Sequence, residues 1–141
     1  MRSIVNGMLV REGLVLLAKR APQRSAYPRL WSFPGGHVEE NETLSDALVR
    51  ELREEISITP TAFTCIGVIS DPNIPASNPI TYHMYSIVAW QGGEPAILGE
   101  EHSELAWMPF EAAASLRDLA LESYRALLKK LSVIQTTGHM L

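Results

Sequence analysis

The segment GHVEENETLSDALVRELREEISI, residues 36–58, places three glutamates on one short amphipathic repeat directly after a glycine-rich turn. Leu44, Ala47, Leu48, Leu52 and Ile56 recur at three- and four-residue steps, so they line one side of a helix and face a core. Thr43 suits the N-cap, with Asp46 three positions on, near the positive end of the helix dipole. Glu51, Glu54 and Glu55 stand at i, i+3 and i+4, and their carboxylates share a face beside the apolar stripe. Like charges at that spacing destabilise a helix by roughly 0.2–0.5 kcal/mol per pair, and Arg50, four residues before Glu54, offsets only part of this. Clustered carboxylates are hard oxygen ligands suited to Mg²⁺ or Mn²⁺, ions that bind through a few carboxylates together with substrate phosphates. Three glutamates alone more often mark a solvated acidic helix face, so their setting decides.

That setting resembles the Nudix box, G-x5-E-x7-R-E-U-x-E-E-x-G-U with U aliphatic. Gly36, Glu42, Arg50, Glu51, Leu52, Glu54, Glu55 and Ile58 match it at fixed spacing, and Ser57 stands where the family has its second glycine. The preceding Trp31-Ser32-Phe33-Pro34-Gly35 is similar to the family's approach to its box, an aromatic short strand followed by Pro-Gly-Gly. The resemblance to Nudix hydrolases, closest to their MutT-like branch, covers Leu14 to Ile58 well and the rest loosely. It implies an α/β/α sandwich with a mixed sheet between helices. It further implies a divalent cation, Mg²⁺ with Mn²⁺ as the variant, held by Glu51, Glu54, Glu55 and the carbonyl of Gly35. A glutamate six positions before Trp107 joins that set in similar proteins; here it is Glu101, with Glu100 and Glu104 as rivals. Glu51 ranks first and Glu101 second as the base that deprotonates water, and Arg50 and Glu42 orient the ligands. Arg20 sits where similar proteins carry an arginine that touches the nucleotide. Phe33 or Tyr27 is the aromatic expected to stack on a base, although for Phe33 and Trp31 ordinary core packing is the competing expectation.

The bulk properties narrow the field. With 141 residues, nearly half of them apolar, the chain suffices for one domain with a true core, expected over residues 1–131 with a C-terminal tail at 132–141 that frays. A net charge of −4 argues against a broad nucleic-acid-binding surface, so a free nucleotide is the expected partner of a monomer or homodimer. Cys65 is the only cysteine, which precludes an intramolecular disulfide, and a buried inert thiol is expected there. The N-terminus lacks a signal-like apolar core and no run reaches the ~18 apolar residues of a membrane span, so the expected location is cytoplasmic.

Along the chain, residues 3–10 and 13–19 read as a hairpin turning at Arg11-Glu12-Gly13. Residues 21–30, with two prolines, read as a loop. Residues 61–70 and 80–90 have strand composition and flank the proline-rich loop DPNIPASNP. His83, inside the second of these strands, reads as a structural histidine. The acidic run Gly99–Glu104 reads as a loop, residues 109–117 as the site of a short helix opening at Pro109, and residues 118–131 as a helix with Leu119, Leu121, Tyr124, Leu127, Leu128 and Leu131 on its apolar side.

The chemistry expected of this arrangement is hydrolysis of a nucleoside diphosphate linked to another moiety, with a MutT-like nucleoside triphosphate pyrophosphohydrolase as the first reading. ADP-ribose or nucleotide-sugar cleavage, and a non-catalytic nucleotide-sensing module, are the alternatives. Loss of a box carboxylate would favour the last, and none is lost.

Overall fold

The structure, a computed structural model, describes residues 2–140, with side chains as far as Val133. Two strands, β1 (Arg2–Arg11) and β2 (Leu14–Arg20), form the expected hairpin. Its turn residues Glu12 and Gly13 both have positive φ, 50° and 79°, the handedness that matches the twist of adjoining strands. Two short strands follow, β3 (Trp31–Ser32) and β4 (Gly35–His37), then helix α1 (Leu44–Ile56), β5 (Thr59–Ser70), β6 (Ile80–Gln91), β7 (His102–Pro109), α2 (Phe110–Ala114) and α3 (Tyr124–Met140).

The sheet runs β3-β2-β1-β6-β5, with β4 on β1 and β7 on β2. β1 and β6 are parallel, with Arg2–Leu9 against Ile80–Ile87, and the other pairs are antiparallel, so the sheet is mixed. One edge of β1 is divided: Ile4–Asn6 pair with β4, whereas Val10 and Arg11 pair with β2. Between them Gly7 donates its N–H to the Pro34 carbonyl at 2.9 Å.

Alternation along β1 supplies both faces of the sheet. Val5 and Leu9 pack with Ala47, Leu48, Leu52 and Ile56 of α1, the stripe read from the sequence, while Met8 and Val10 pack with Phe110, Leu127, Leu128 and Leu131 of α2 and α3. The result is the α/β/α sandwich. Helix α1 comes close to the sheet because Gly7 lacks a side chain; a β-carbon there would lie 2.8 Å from Leu52 Cδ1 and 2.6 Å from Ile87 Cδ1.

The ends of α1 follow the sequence closely. Thr43 Oγ1 accepts from Asp46 N–H at 3.1 Å. Ser57 is left-handed, with φ 60° and ψ 31°, and its N–H bonds Leu52 O. Glycine, which has no β-carbon, adopts that conformation without the steric cost that serine bears. Ser57→Gly is therefore expected to stabilise the fold by up to about 1 kcal/mol. Its turnover should hold within about twofold, since Ser57 lies at the end of α1, beyond Glu51, Glu54 and Glu55. Urea midpoints check the first half and initial rates the second; a lowered midpoint would contradict the cap geometry.

Four expectations are corrected. The last helix begins at Tyr124, not at 118, because the backbone of Asp118–Ala120 is occupied by Trp31: Trp31 N–H bonds Asp118 O at 2.7 Å and Ala120 N–H bonds Trp31 O at 2.8 Å. The short helix is confined to Phe110–Ala114. The acidic run is a loop only as far as Glu101, since His102–Glu104 already pair with β2. Cys65 is exposed, not buried, because β5 is an edge strand whose register against β6 shifts three times. The tail expected at 132–141 continues helix α3 as far as Met140, and the side chains from residue 134 onward lie outside the described residues.

Candidate active site

Helix α1 delivers its glutamates unequally. Glu55 is 4 % exposed and lies on the sheet side of the helix. Its Oε2 accepts from Gly35 N–H at 3.0 Å and lies 3.1 Å from His102 Nε2, whereas no hydrogen-bond donor among the described residues reaches Oε1. Glu51 is nearly as enclosed, and its carboxylate lies against the backbone of Gly36, where a β-carbon would come within 2.5 Å of it. Glu54 stands at the rim, 60 % exposed, and its contact is a 3.4 Å approach from Arg50.

Arg50 is the hub of the rim. Its Nε and Nη2 donate to the two carboxylate oxygens of Glu42 at 2.7 and 2.9 Å, a bidentate fork. Nη1 donates to Glu51 Oε1 at 2.9 Å, and Nη2 also reaches the His37 carbonyl at 3.0 Å. The guanidinium thereby ties the loop at 37–42 to α1 and fixes one oxygen of Glu51. Beside it the Glu42 carboxyl is held down to about 2, and Arg50 is raised in turn.

The segment entering β7 closes the site. Ala96 and Leu98 donate their N–H groups to Ile56 O and Glu55 O at 3.0 and 2.8 Å, satisfying carbonyls at the end of α1. Glu101 O then accepts from Ala21 N–H at 3.0 Å, and the sheet register shifts between Lys19 and Arg20, where Arg20 faces His102. One ligand atom from each of Glu55, Glu101 and His102 falls within 4.8 Å of the others. Among the three candidates of the acidic run, Glu101 is thus the one brought to Glu55. Glu104 pairs with Lys19 along β7, and the Glu100 carbonyl accepts from Gln23.

The charges here are strained. Burial, and then the neighbouring Glu101 carboxylate, push Glu55 up to about 10. Glu51 is also raised, by burial first, while Glu101 is lowered by its contact with Glu55. Burial pushes His102 down to about 4, so it is neutral near pH 7. A buried carboxylate oxygen without a donor, beside two further carboxylates, is the chemistry of a hard-cation site, and the residues present fit such an ion. Gly35 contributes its N–H to Glu55, and its β-carbon would fall 1.9 Å from Val5 O.

A cavity of about 340 Å³ opens from this cluster between the divergent partners of β1. Gly35, Gly36 and His102 line its end next to Glu51 and Glu55; Arg20, Arg24, Tyr27, Phe33, Asp71, Tyr82 and Tyr124 are among the residues lining the rest. Arg20 Nε bonds Ala26 O at 2.7 Å, and Arg24 approaches Glu101 at 3.5 Å. Tyr27 Oη is bonded to Asp71. Phe33 is a buried core residue with an edge-to-face contact to Tyr124, centroids 5.0 Å apart, and it borders the cavity. Asn6 is fixed by Nδ2 donating to Phe33 O at 2.9 Å, and its Oδ1, on the cavity wall, has no hydrogen-bond partner among the described residues.

His102, Asn6 and Arg24 were not singled out by sequence. For His102 a signal existed: a lone histidine following Glu101 where the chain re-enters a strand.

Comparison with known proteins agrees with this geometry. Residues 1–131 match the family described as NUDIX domain. The CTP pyrophosphohydrolase of Escherichia coli K12 is 34 % identical over 113 residues, 80 % of this chain and 79 % of that protein. The ADP-ribose pyrophosphatase of Methanocaldococcus jannaschii is 35 % identical over 69 residues, 49 % of this chain and 40 % of its own length. Among solved structures, the E. coli ORF135 protein superimposes with a TM-score of 0.79 at 29 % identity, covering 97 % of this chain and 92 % of that one. The MutT NUDIX hydrolase of Burkholderia pseudomallei gives 0.78 at 26 %, covering 91 % and 95 %. With the family match spanning nearly the whole chain, this protein belongs to the Nudix hydrolases.

Proposed function

We propose that the protein is a divalent-cation-dependent nucleoside triphosphate pyrophosphohydrolase, releasing a nucleoside monophosphate and pyrophosphate. The observation that carries this reading is that Gly35, Gly36 and His102, which contact Glu55 and Glu51, also line a cavity that is large enough for a nucleoside and lined by arginines and tyrosines. The CTP pyrophosphohydrolase relative, which aligns over most of both chains, supports it.

Glu51, Glu55 and Glu101 would hold the cation, with Glu54 at the rim. Mg²⁺, once bound, polarises the phosphoanhydride and lowers the pKa of an attacking water. The chain's own contribution is positioning. Arg50 fixes Glu51 Oε1, leaving Oε2 of Glu51 to take the proton from water, with Glu101 as the second candidate base. Arg20 and Arg24 face the phosphate path, and the Tyr27, Phe33 and Tyr82 surfaces flank the nucleoside. Arg24 must leave Glu101 to meet a triphosphate, exchanging one anion for another.

A Mg²⁺-dependent screen of nucleoside triphosphates against ADP-ribose, nucleotide sugars and dinucleoside polyphosphates tests the assignment. Triphosphates should be cleaved fastest, with pyrophosphate as product. Preference for ADP-ribose, or turnover in excess EDTA, would overturn it.

Binding to the native site also stabilises by mass action, worth about 2.7 kcal/mol at a hundredfold excess over Kd. Mg²⁺ is accordingly expected to raise the melting temperature of the parent protein and to leave Glu51→Ala nearly unmoved. An equal rise in both proteins would place the main cation site elsewhere.

A further inference from the structure

We propose that His102 is a positioning residue of the cation site: with Gly35 N–H it ties back one oxygen of Glu55, and so decides that Oε1 is the oxygen presented to the cation. This rests on the cation-dependent reading above.

The argument begins with hydrogen-bond supply. Glu55 reaches the site on a side chain with three rotatable bonds, and a buried carboxylate on such a stem has two interchangeable oxygens. Here they are made different. Oε2 takes Gly35 N–H at 3.0 Å and His102 Nε2 at 3.1 Å, while Oε1 receives no donor among the described residues. In the ionised form that a cation requires, Glu55 only accepts, so Nε2 then carries the ring hydrogen and Nδ1 holds the lone pair. Nδ1 is buried and has no hydrogen-bond partner among the described residues, so no second contact dictates the tautomer.

His102 is itself fixed from the backbone. It is the first residue of β7 and sits opposite Arg20 where the register shifts, next to Glu101, whose carbonyl is bound by Ala21. Its side chain is 3 % exposed. A ring so held donates in one direction only. Two donors on one oxygen leave Glu55 a single rotamer before any ion arrives, which lowers the ordering cost of binding. Mg²⁺ and Mn²⁺ prefer oxygen to imidazole nitrogen, so donation through Nε2 suits the ring better than direct ligation.

The test uses Mn²⁺ alone with the full chain. Free Mn²⁺ is counted by its EPR signal for the parent, His102→Gln and His102→Leu proteins, and melting in EDTA verifies folding. Glutamine places an amide N–H₂ near the position of Nε2 and is expected to keep the Mn²⁺ Kd within about threefold of the parent. Leucine cannot donate and is expected to weaken binding about ten- to a hundredfold, the usual cost of losing a group that orients a ligand. The inference is overturned if glutamine binds as weakly as leucine, if leucine binds as tightly as the parent, or if the Mn²⁺ spectrum of the parent carries the ¹⁴N coupling of a directly bound imidazole. Should leucine fail to fold, the glutamine affinity and that spectrum still decide. No Mn²⁺ binding by the parent protein would instead defeat the cation reading itself.

Discussion

Glu55→Gln is expected to lower turnover by about a thousandfold or more and, in EDTA at pH 8, to make the domain more stable than its parent. On the proposed reading, the first effect follows from the loss of a buried charge at the cation site. The second follows from linkage. Glu55 is raised in the fold from 4.5 to about 10, so without a cation the native chain keeps a proton that the unfolded chain gives up. The contribution of that group is complete below about pH 4.5 and is lost progressively as pH rises towards 10. Glutamine is uncharged throughout and nearly isosteric. Its oxygen can accept from Gly35 and His102 while its amide donates to Glu101. With one pKa unit worth ~1.4 kcal/mol, a gain on the order of 2 kcal/mol at pH 8, vanishing near pH 4, is the expected result. Urea titrations at both pH values and a Mg²⁺-supported rate assay check it. Turnover within tenfold of the parent, or a variant less stable at pH 8, would show that Glu55 is an ordinary helix-face carboxylate.

Alanine at the two neighbouring glycines should separate folding from catalysis. At Gly35 the new β-carbon would meet backbone, 1.9 Å from Val5 O and 2.8 Å from Asn6 Cα, at a φ of 154°. Neither atom can move without breaking the pairing of β4 with β1, so Gly35→Ala is expected to cost about 3 kcal/mol or more and to leave little folded protein at 37 °C. At Gly36 the obstacle is the end of a side chain, the Glu51 carboxylate at 2.5–2.6 Å, which can swing away. Gly36→Ala should fold, with a stability loss of about 1 kcal/mol or less, while its turnover falls about a hundredfold because Glu51 leaves its place. Circular dichroism melts and rates measured side by side read the contrast. Similar stability losses in the two variants would refute it.

These glycines also illustrate what sequence could carry. Gly35 and Gly36 stand in a motif, and the apolar stripe of α1, its Thr43 cap and its left-handed Ser57 are local features written in adjacent residues. The hairpin at Glu12-Gly13 is local in the same sense. The features that escaped are set by distant partners. Leu119 and Leu121 continue the spacing of α3, yet Trp31 claims the intervening backbone for a bridge. His102–Glu104 read as an acidic loop because only β2 makes them a strand. Cys65 follows strand composition, but three register shifts on an edge strand spoil any inference about its side. At the site, the spacing of Glu51, Glu54 and Glu55 predicted a shared face. Their division into two enclosed groups and one exposed group depends on the tilt of α1 against β4, which periodicity does not encode.

The loop that caps α1 has a consequence for how such a protein can be rebuilt. Leu98 is pinned to the carbonyl of Glu55 and the Glu101 carbonyl to Ala21, so only two residues span the interval between these anchors. That interval works as a gauge: its length sets where Glu101 stops. Gly93, by contrast, has open space around its missing side chain and lies upstream of the first anchor. Extra residues inserted at 93–95 would bulge outwards and leave the gauge intact, whereas a single residue added after Leu98 would dephase Glu101 and His102 together. The natural boundary for grafting this loop onto a related scaffold is therefore before Ala96, and α1 has to travel with it, although strands β5 and β6 and their connecting loops separate the two in the chain.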